Sequence, residues 1–244
     1  MRLDAFLAEH SLCDSRTDAK NFILAGAVTV DGRVVKKPAF DVSGSEDISV
    51  DKSSKKYVGR GGLKLEAALS YFDVQVDGRL ALDIGASSGG FTDCLLQNGA
   101  AHVIAVDSGS GQMAESLRGD DRVTVIENFN ARYMTRDDLE YAPTLAVMDV
   151  SFISAKLIMP AVMATLAEGG DYICLIKPQF EVGKSGLGKG GIVKSERIRA
   201  AAVNEVIEFA RHIGFSLVAL KQSPIIGGDG NIEYLAHFKN GGIQ

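Results

Sequence analysis

Four ionisable residues stand where an apolar framework makes a charge conspicuous. Asp149 ends the apolar run of AVMDVSFIS and Lys177 ends that of YICLIKPQFE, while Glu233 opens that of GNIEYLAHF and Lys64 follows the glycines of GRGG. In an open α/β sheet the carboxyl ends of parallel strands border the ligand crevice, so Asp149 and Lys177 are expected to face it together. A charge closing an apolar strand is costly to leave alone, and mutual pairing for stability is one account of the set. The other is chemistry: two amines and two carboxylates around one pocket can align a reacting group and take its proton.

A second constellation is LALDIGASSGGFTD, residues 80–93, an apolar run that ends in an acid and breaks into glycine and serine. A dinucleotide fingerprint needs G-x-G-x-x-G after the first strand. Here Gly85 is followed by Ala86, Ser87, Ser88, Gly89 and Gly90, so the middle glycine is missing. The pattern Asp83-x-Gly85-x-x-x-Gly89-Gly90-Phe91 resembles the S-adenosylmethionine motif. That resemblance implies a loop, from Asp83 and Gly85 through Ala86 and Ser87 to Phe91, closing over the methionine portion of the donor. Asp107 stands where an acid can accept hydrogen bonds from both ribose hydroxyls, a device that dehydrogenases share, so it does not separate the two cofactors. ENFNAR places Asn128 and Asn130 near the adenine, and Asp149 borders the same crevice.

The elements that must position these residues form two groups. In the first fifty residues Leu3, Phe6 and Leu7 have helical spacing, and Ser15 with Asp18 forms a capping box ahead of a helix that stops at Gly26. AVTVDGRVVKK then reads as a hairpin turning at Asp31-Gly32, and DISV gives one more short strand. Residues 51–62 form a basic, glycine-containing linker. From Leu63 to residue 244 helices alternate with strands expected at Leu80–Asp83, Val103–Asp107, Val123–Glu127, Leu145–Asp149, Tyr172–Lys177, Leu217–Gln222 and Glu233–Phe238. The alternation implies a doubly wound α/β sheet of seven mostly parallel strands. The closing pair, with no helix between, implies an antiparallel edge strand, as in class I Rossmann-like methyltransferases.

SRTDAKNFILAGAVTVDGRVVKKP, within residues 1–50, resembles the S4 RNA-binding domain. The resemblance implies a basic surface for structured RNA, built here by Arg2, Arg16, Lys20, Arg33, Lys36 and Lys37, with phosphate contacts giving shape-led recognition. Lys55, Lys56 and Arg60 of KSSKKYVGRGGLK extend the basic character into the linker. Lys184 and Lys189 lie in EVGKSGLGKGGIVKSE, read as an RNA-contacting lid with a plain surface loop as the alternative.

The Lys64, Asp149, Lys177 and Glu233 set resembles the K-D-K-E tetrad of FtsJ-like ribose 2′-O-methyltransferases. With the S4 unit, GRGGLKLEAAL, DIGASSGGFTD, DVSFIS and KPQFE, the chain resembles the TlyA family from end to end. The usual SRG before the first lysine reads GRGG here. Members carry a haemolysin label and methylate ribosomal RNA cytidines. The resemblance implies S-adenosyl-L-methionine as donor, ribosomal RNA or ribosomal subunits as partner, Lys177 as general base, Asp149 and Glu233 as orienting acids and Lys64 as electrostatic partner or substrate anchor. Free lysine titrates near pH ~10.4, so a basic Lys177 needs a lowered pKa.

The bulk numbers bound the alternatives. A net charge of −5 over 244 residues argues against nucleic-acid binding by the whole surface and leaves it to local patches. No apolar stretch reaches the roughly 18 residues of a membrane span, which weighs against a membrane-acting haemolysin. Three separated cysteines and four scattered histidines suggest a cytoplasmic protein with no metal site. A small-molecule methyltransferase is a further alternative.

Overall fold

The computed structural model describes residues 1–244 apart from Asp14, 52–55, 184–185, 228–229, 242–244 and the side chain of Ala25. The chain divides into two compact units, Met1–Lys56 and Tyr57–Gln244.

In the first unit, helices α1 (Leu3–Glu9) and α2 (Arg16–Ala25) cover a small antiparallel sheet of β1 (Val28–Val30), β2 (Arg33–Val34) and β3 (Ile48–Val50), ordered β2-β1-β3. Ser15 Oγ accepts the Asp18 N–H at 3.1 Å, which satisfies one orphan donor of α2. Asp31 and Gly32 both have positive φ, +49° and +73°, as a two-residue type I′ hairpin requires. Leu3, Leu7, Ile23 and Val28 have no exposed surface and form the unit's core.

The second unit is a three-layer α/β sandwich. Its seven strands are β4 (Leu80–Ile84), β5 (His102–Val106), β6 (Val123–Ile126), β7 (Leu145–Met148), β8 (Asp171–Ile176), β9 (Phe215–Gln222) and β10 (Tyr234–Asn240). They lie in the order β6-β5-β4-β7-β8-β10-β9. Strands β4 to β8 pair in parallel. Period-two alternation sends Leu82, Ile84, Ala146 and Met148 to one face, against α6 (Met159–Thr165) and α8 (Glu196–His212). Ala81, Leu145, Val147 and Ile173 face the opposite layer, built by α3 (Gly61–Phe72), α4 (Gly90–Gln97) and α5 (Glu115–Arg118). Both faces are covered, so the parallel strands read as near-continuous apolar runs. A one-turn helix, α7 (Pro178–Glu181), follows β8.

The end of the sheet departs from the expected order. Strand β10 is antiparallel to both β8 and β9 and lies between them, so the antiparallel strand is interior and β9 is the edge. Burial explains the placement: β10 is almost wholly buried, whereas β9 alternates and exposes Val218, Leu220 and Lys221 to solvent. Helix α3 begins at Gly61, inside the expected linker. No helix among the described residues is long and apolar enough to cross a membrane.

Candidate active site

The parallel strands stop one residue short of the charges that the sequence places at their ends. β5 ends at Val106 before Asp107, β7 at Met148 before Asp149, and β8 at Ile176 before Lys177; Glu233 precedes β10. Each charge is therefore the first group outside a buried ladder. The sheet order reverses between β4 and β7, the switch point where α/β sheets open a crevice.

The glycine turn after β4 leans on the loop after β7. Gly85 has φ +82°, and a Cβ there would lie 2.6 Å from the Asp149 carbonyl oxygen, so only glycine fits. Two adjoining cavities flank this contact and share Gly85, Ser87, Asp149, Ser151 and Phe152. One, of about 350 Å³, is lined by all four charges, Lys64, Asp149, Lys177 and Glu233, with Ala86, Gly90 and Phe91. The other, of about 360 Å³, has apolar walls from Ile84, Val106, Phe129 and Ile158, with Asp107, Gln112 and Asn130 among its polar lining.

Within the charged cavity the residues form two pairs. Lys64 Nζ donates to Glu233 Oε2 at 2.5 Å, and both residues are nearly inaccessible, 4% and 3% exposed. Lys177 Nζ lies 2.6 Å from Asp149 Oδ1 and donates to Ser151 Oγ at 2.8 Å, so one amine bridges both side chains of the loop after β7. Asp107 is held by two backbone donors, Gly109 N–H at 2.7 Å and Ser87 N–H at 2.8 Å, which fix its carboxylate at the wall of the second cavity.

Three residues assigned to the donor site stand behind the cavity walls. Asp83 is wholly buried, and its Oδ2 accepts from Thr92 Oγ1 of α4 at 2.6 Å. Burial pushes its pKa up to about 7. Gly89 packs under Met113 and Leu117. The Asn128 N–H donates to the Gly109 carbonyl at 3.0 Å and shapes the loop in the left-handed region, at φ +56°.

The basic residues separate into several environments. Arg2 forks onto buried Asp4 with contacts of 3.0 and 2.8 Å, and Arg16 reaches the same carboxylate at 3.4 Å. The Arg2 hydrogen bonds hold the Asp4 carboxyl down to about 2. Lys20, Arg33, Lys36, Lys37, Lys56 and Lys189 are exposed. Arg60 lines the charged cavity. Lys55 and Lys184 lie outside the described residues. Of the expected lid, the far half is tied down by buried Asn231, whose side chain accepts from the Val193 N–H at 3.0 Å and donates to the Gly191 carbonyl at 3.1 Å.

Sequence reasoning assigned no role to Ser151, Phe152, Phe180 and Glu181, although DVSFIS and KPQFE contain them. Phe152 has φ +64° and is 91% exposed, and its ring sits 5.3 Å from that of Phe180 at the mouth of both cavities. Strain and exposure of this kind depend on the fold, and no spacing rule signals them.

The FtsJ-like methyltransferase model matches residues 57–240, and the S4 domain model matches residues 1–48. The chain belongs to the FtsJ-like methyltransferases, in their TlyA branch. It is 44% identical over 234 residues to the 16S/23S rRNA (cytidine-2′-O)-methyltransferase TlyA of Mycobacterium tuberculosis, covering 96% of this chain and 87% of that one. Hemolysin A of Brachyspira hyodysenteriae is 42% identical over 239 residues, 98% of this chain and 99% of that one. A solved structure from Streptococcus thermophilus that carries a hemolysin label matches 98% of this chain and 88% of its own at 43% identity, with a TM-score of 0.79. Solved S-adenosylmethionine-dependent methyltransferases at about 15% identity share the fold with TM-scores near 0.55. Membership in the family fixes the class I methyltransferase architecture of the second unit and the S4 character of the first.

Proposed function

We propose that this TlyA-family chain transfers a methyl group from S-adenosyl-L-methionine to the ribose 2′-hydroxyl of a cytidine in ribosomal RNA. One observation carries the proposal: Lys64, Asp149, Lys177 and Glu233, scattered over 170 positions, line one cavity beside Gly85.

The residues suit that donor. Gly85 leaves room where any side chain would strike Asp149, and Asp107 retains acceptor capacity beyond its two backbone bonds for a pair of ribose hydroxyls. Phe129 and Ile158 supply apolar flanks for a flat base, and Asn130 a polar edge. Each cavity lies within the roughly 300–1,000 Å³ typical of ligand sites. The bound donor supplies an activated methyl group on a sulfonium.

The chain's own residues then handle the hydroxyl. Lys177 accepts its proton, with Asp149 and Ser151 fixing the direction of the amine. The Lys64–Glu233 pair closes the back of the cavity and keeps the second amine from drifting into the place of the first. The free face of Phe152 offers a stacking surface for the target base at the mouth. The S4 unit docks on folded RNA through its exposed lysines and arginines, and the protein works in the cytoplasm, where its three buried thiols stay reduced.

Mass mapping of ribosomal RNA from cells with and without the chain tests this. The expected result is one lost 2′-O-methyl cytidine, not restored by Lys177→Ala. Unchanged RNA, or full restoration by Lys177→Ala with normal donor binding, overturns it.

A further inference from the structure

The helical turn α7 does more than carry Lys177. Pro178 sets its first position and the Val182 N–H closes it on the Pro178 carbonyl at 3.0 Å, with Lys177 the extended residue ahead of the turn and Glu181 its last. Both reach the loop after β7, at opposite ends. Lys177 holds Asp149 and Ser151 at the front. Glu181 holds the rear: its Oε2 accepts from Ser154 Oγ at 2.6 Å, and its Oε1 from the Ala155 N–H at 2.7 Å. Between the two anchors sits Phe152, in a left-handed conformation that persists only when its surroundings impose it, with its ring against Phe180 of the same turn.

We propose that Glu181 is a positioning residue for methyl transfer, a carboxylate clamp that fixes the 149–155 loop so that Asp149 and Phe152 keep their places relative to Lys177. The inference rests on the methyltransferase function proposed above. The clamp is charge-assisted and two-pronged, and it joins the loops of adjacent strands β7 and β8, which among the described residues no backbone hydrogen bond ties together beyond the ladder ends. Alanine at 181 leaves Ser154 and Ala155 without their acceptor and frees the loop to relax toward ordinary φ. Glutamine keeps one carbonyl acceptor for Ala155 and an amide donor for the Ser154 oxygen, so it retains the shape of the clamp.

The test uses the full-length protein and donor-dependent tritium transfer to ribosomal subunits, with donor affinity read separately by calorimetry. Misplacement of about 1 Å costs up to roughly 100-fold in rate, so Glu181→Ala is expected to lower kcat about 10- to 100-fold, with donor affinity within about threefold of the parent. Ser154→Ala should lower kcat less, and the double variant no further than Glu181→Ala alone, because both break one clamp. Glu181→Gln should restore most of the rate. Hydrogen exchange at the Ala155 amide should quicken in Glu181→Ala. A kcat for Glu181→Ala within twofold of the parent, or a fall matched by equal loss of donor binding, overturns the inference. Should Glu181→Ala not fold, Ser154→Ala decides, and parental kcat there overturns the clamp. An inactive parent instead sinks the methyltransferase function itself, so the two failures are distinct.

Discussion

Taking Lys64 and Glu233 out of water costs each charge several kcal/mol, which their 2.5 Å contact offsets only while both are present. Glu233→Leu alone should therefore cost roughly 3–5 kcal/mol of unfolding free energy, since it strands a buried ammonium. Adding Lys64→Met removes the stranded charge, and urea unfolding should recover most of the loss. Methyl transfer should be lost in both, because the cavity lacks one of its four charges in the single variant and two in the double. A double variant as unstable as the single one would show that the pair is not what holds α3 to the start of β10. At this scale the four charged residues were legible, because a charge bounding an apolar run is visible in any sequence. Ser154, Glu181 and Phe152 were not, because their roles lie in a hydrogen bond across two loops and in a backbone angle, and neither leaves a pattern.

Between elements, Asp83 and Thr92 tie β4 to α4 beneath the glycine turn, through a carboxyl that burial drives up to about 7. Below about pH 4 that carboxyl is neutral in both the folded and unfolded chain. As the pH rises from about 4 the unfolded chain ionises while the folded carboxyl stays protonated, so the folded state loses stability until its own carboxyl ionises near 7. Asp83→Asn cannot ionise. The stability of the variant relative to the parent should grow between pH 5 and pH 8 by an amount on the order of a few kcal/mol, read by urea unfolding at each pH. A constant difference would mean that Asp83 titrates as it does in solvent. Most strand positions were legible because burial on both faces leaves uninterrupted apolar runs flanked by turns. The order of the last two strands was not, because β9 and β10 are both short apolar runs, and which of them lies beside β8 is decided by packing.

For the whole molecule, the function proposed above gives RNA binding to the S4 unit and chemistry to the second. Replacing exposed Arg33, Lys36 and Lys37 by alanine should weaken binding to ribosomal RNA and reduce its salt slope by about 2 to 3, while donor affinity stays at the parental value. Filter binding across salt concentrations reads the slope, and a slope that does not move would take the hairpin out of the RNA contact. The interior place of β10 also orders events in time. During synthesis β8 emerges first and β9 some forty residues later, yet the gap between them stays unfilled until the chain through Asn240 is available. Until then one flank of β8 is an open template and Glu233 has nothing to seat it against Lys64. A nascent chain therefore carries a reactive set still in pieces, and premature termination before Tyr234 yields an inert, aggregation-prone product rather than a partly active one.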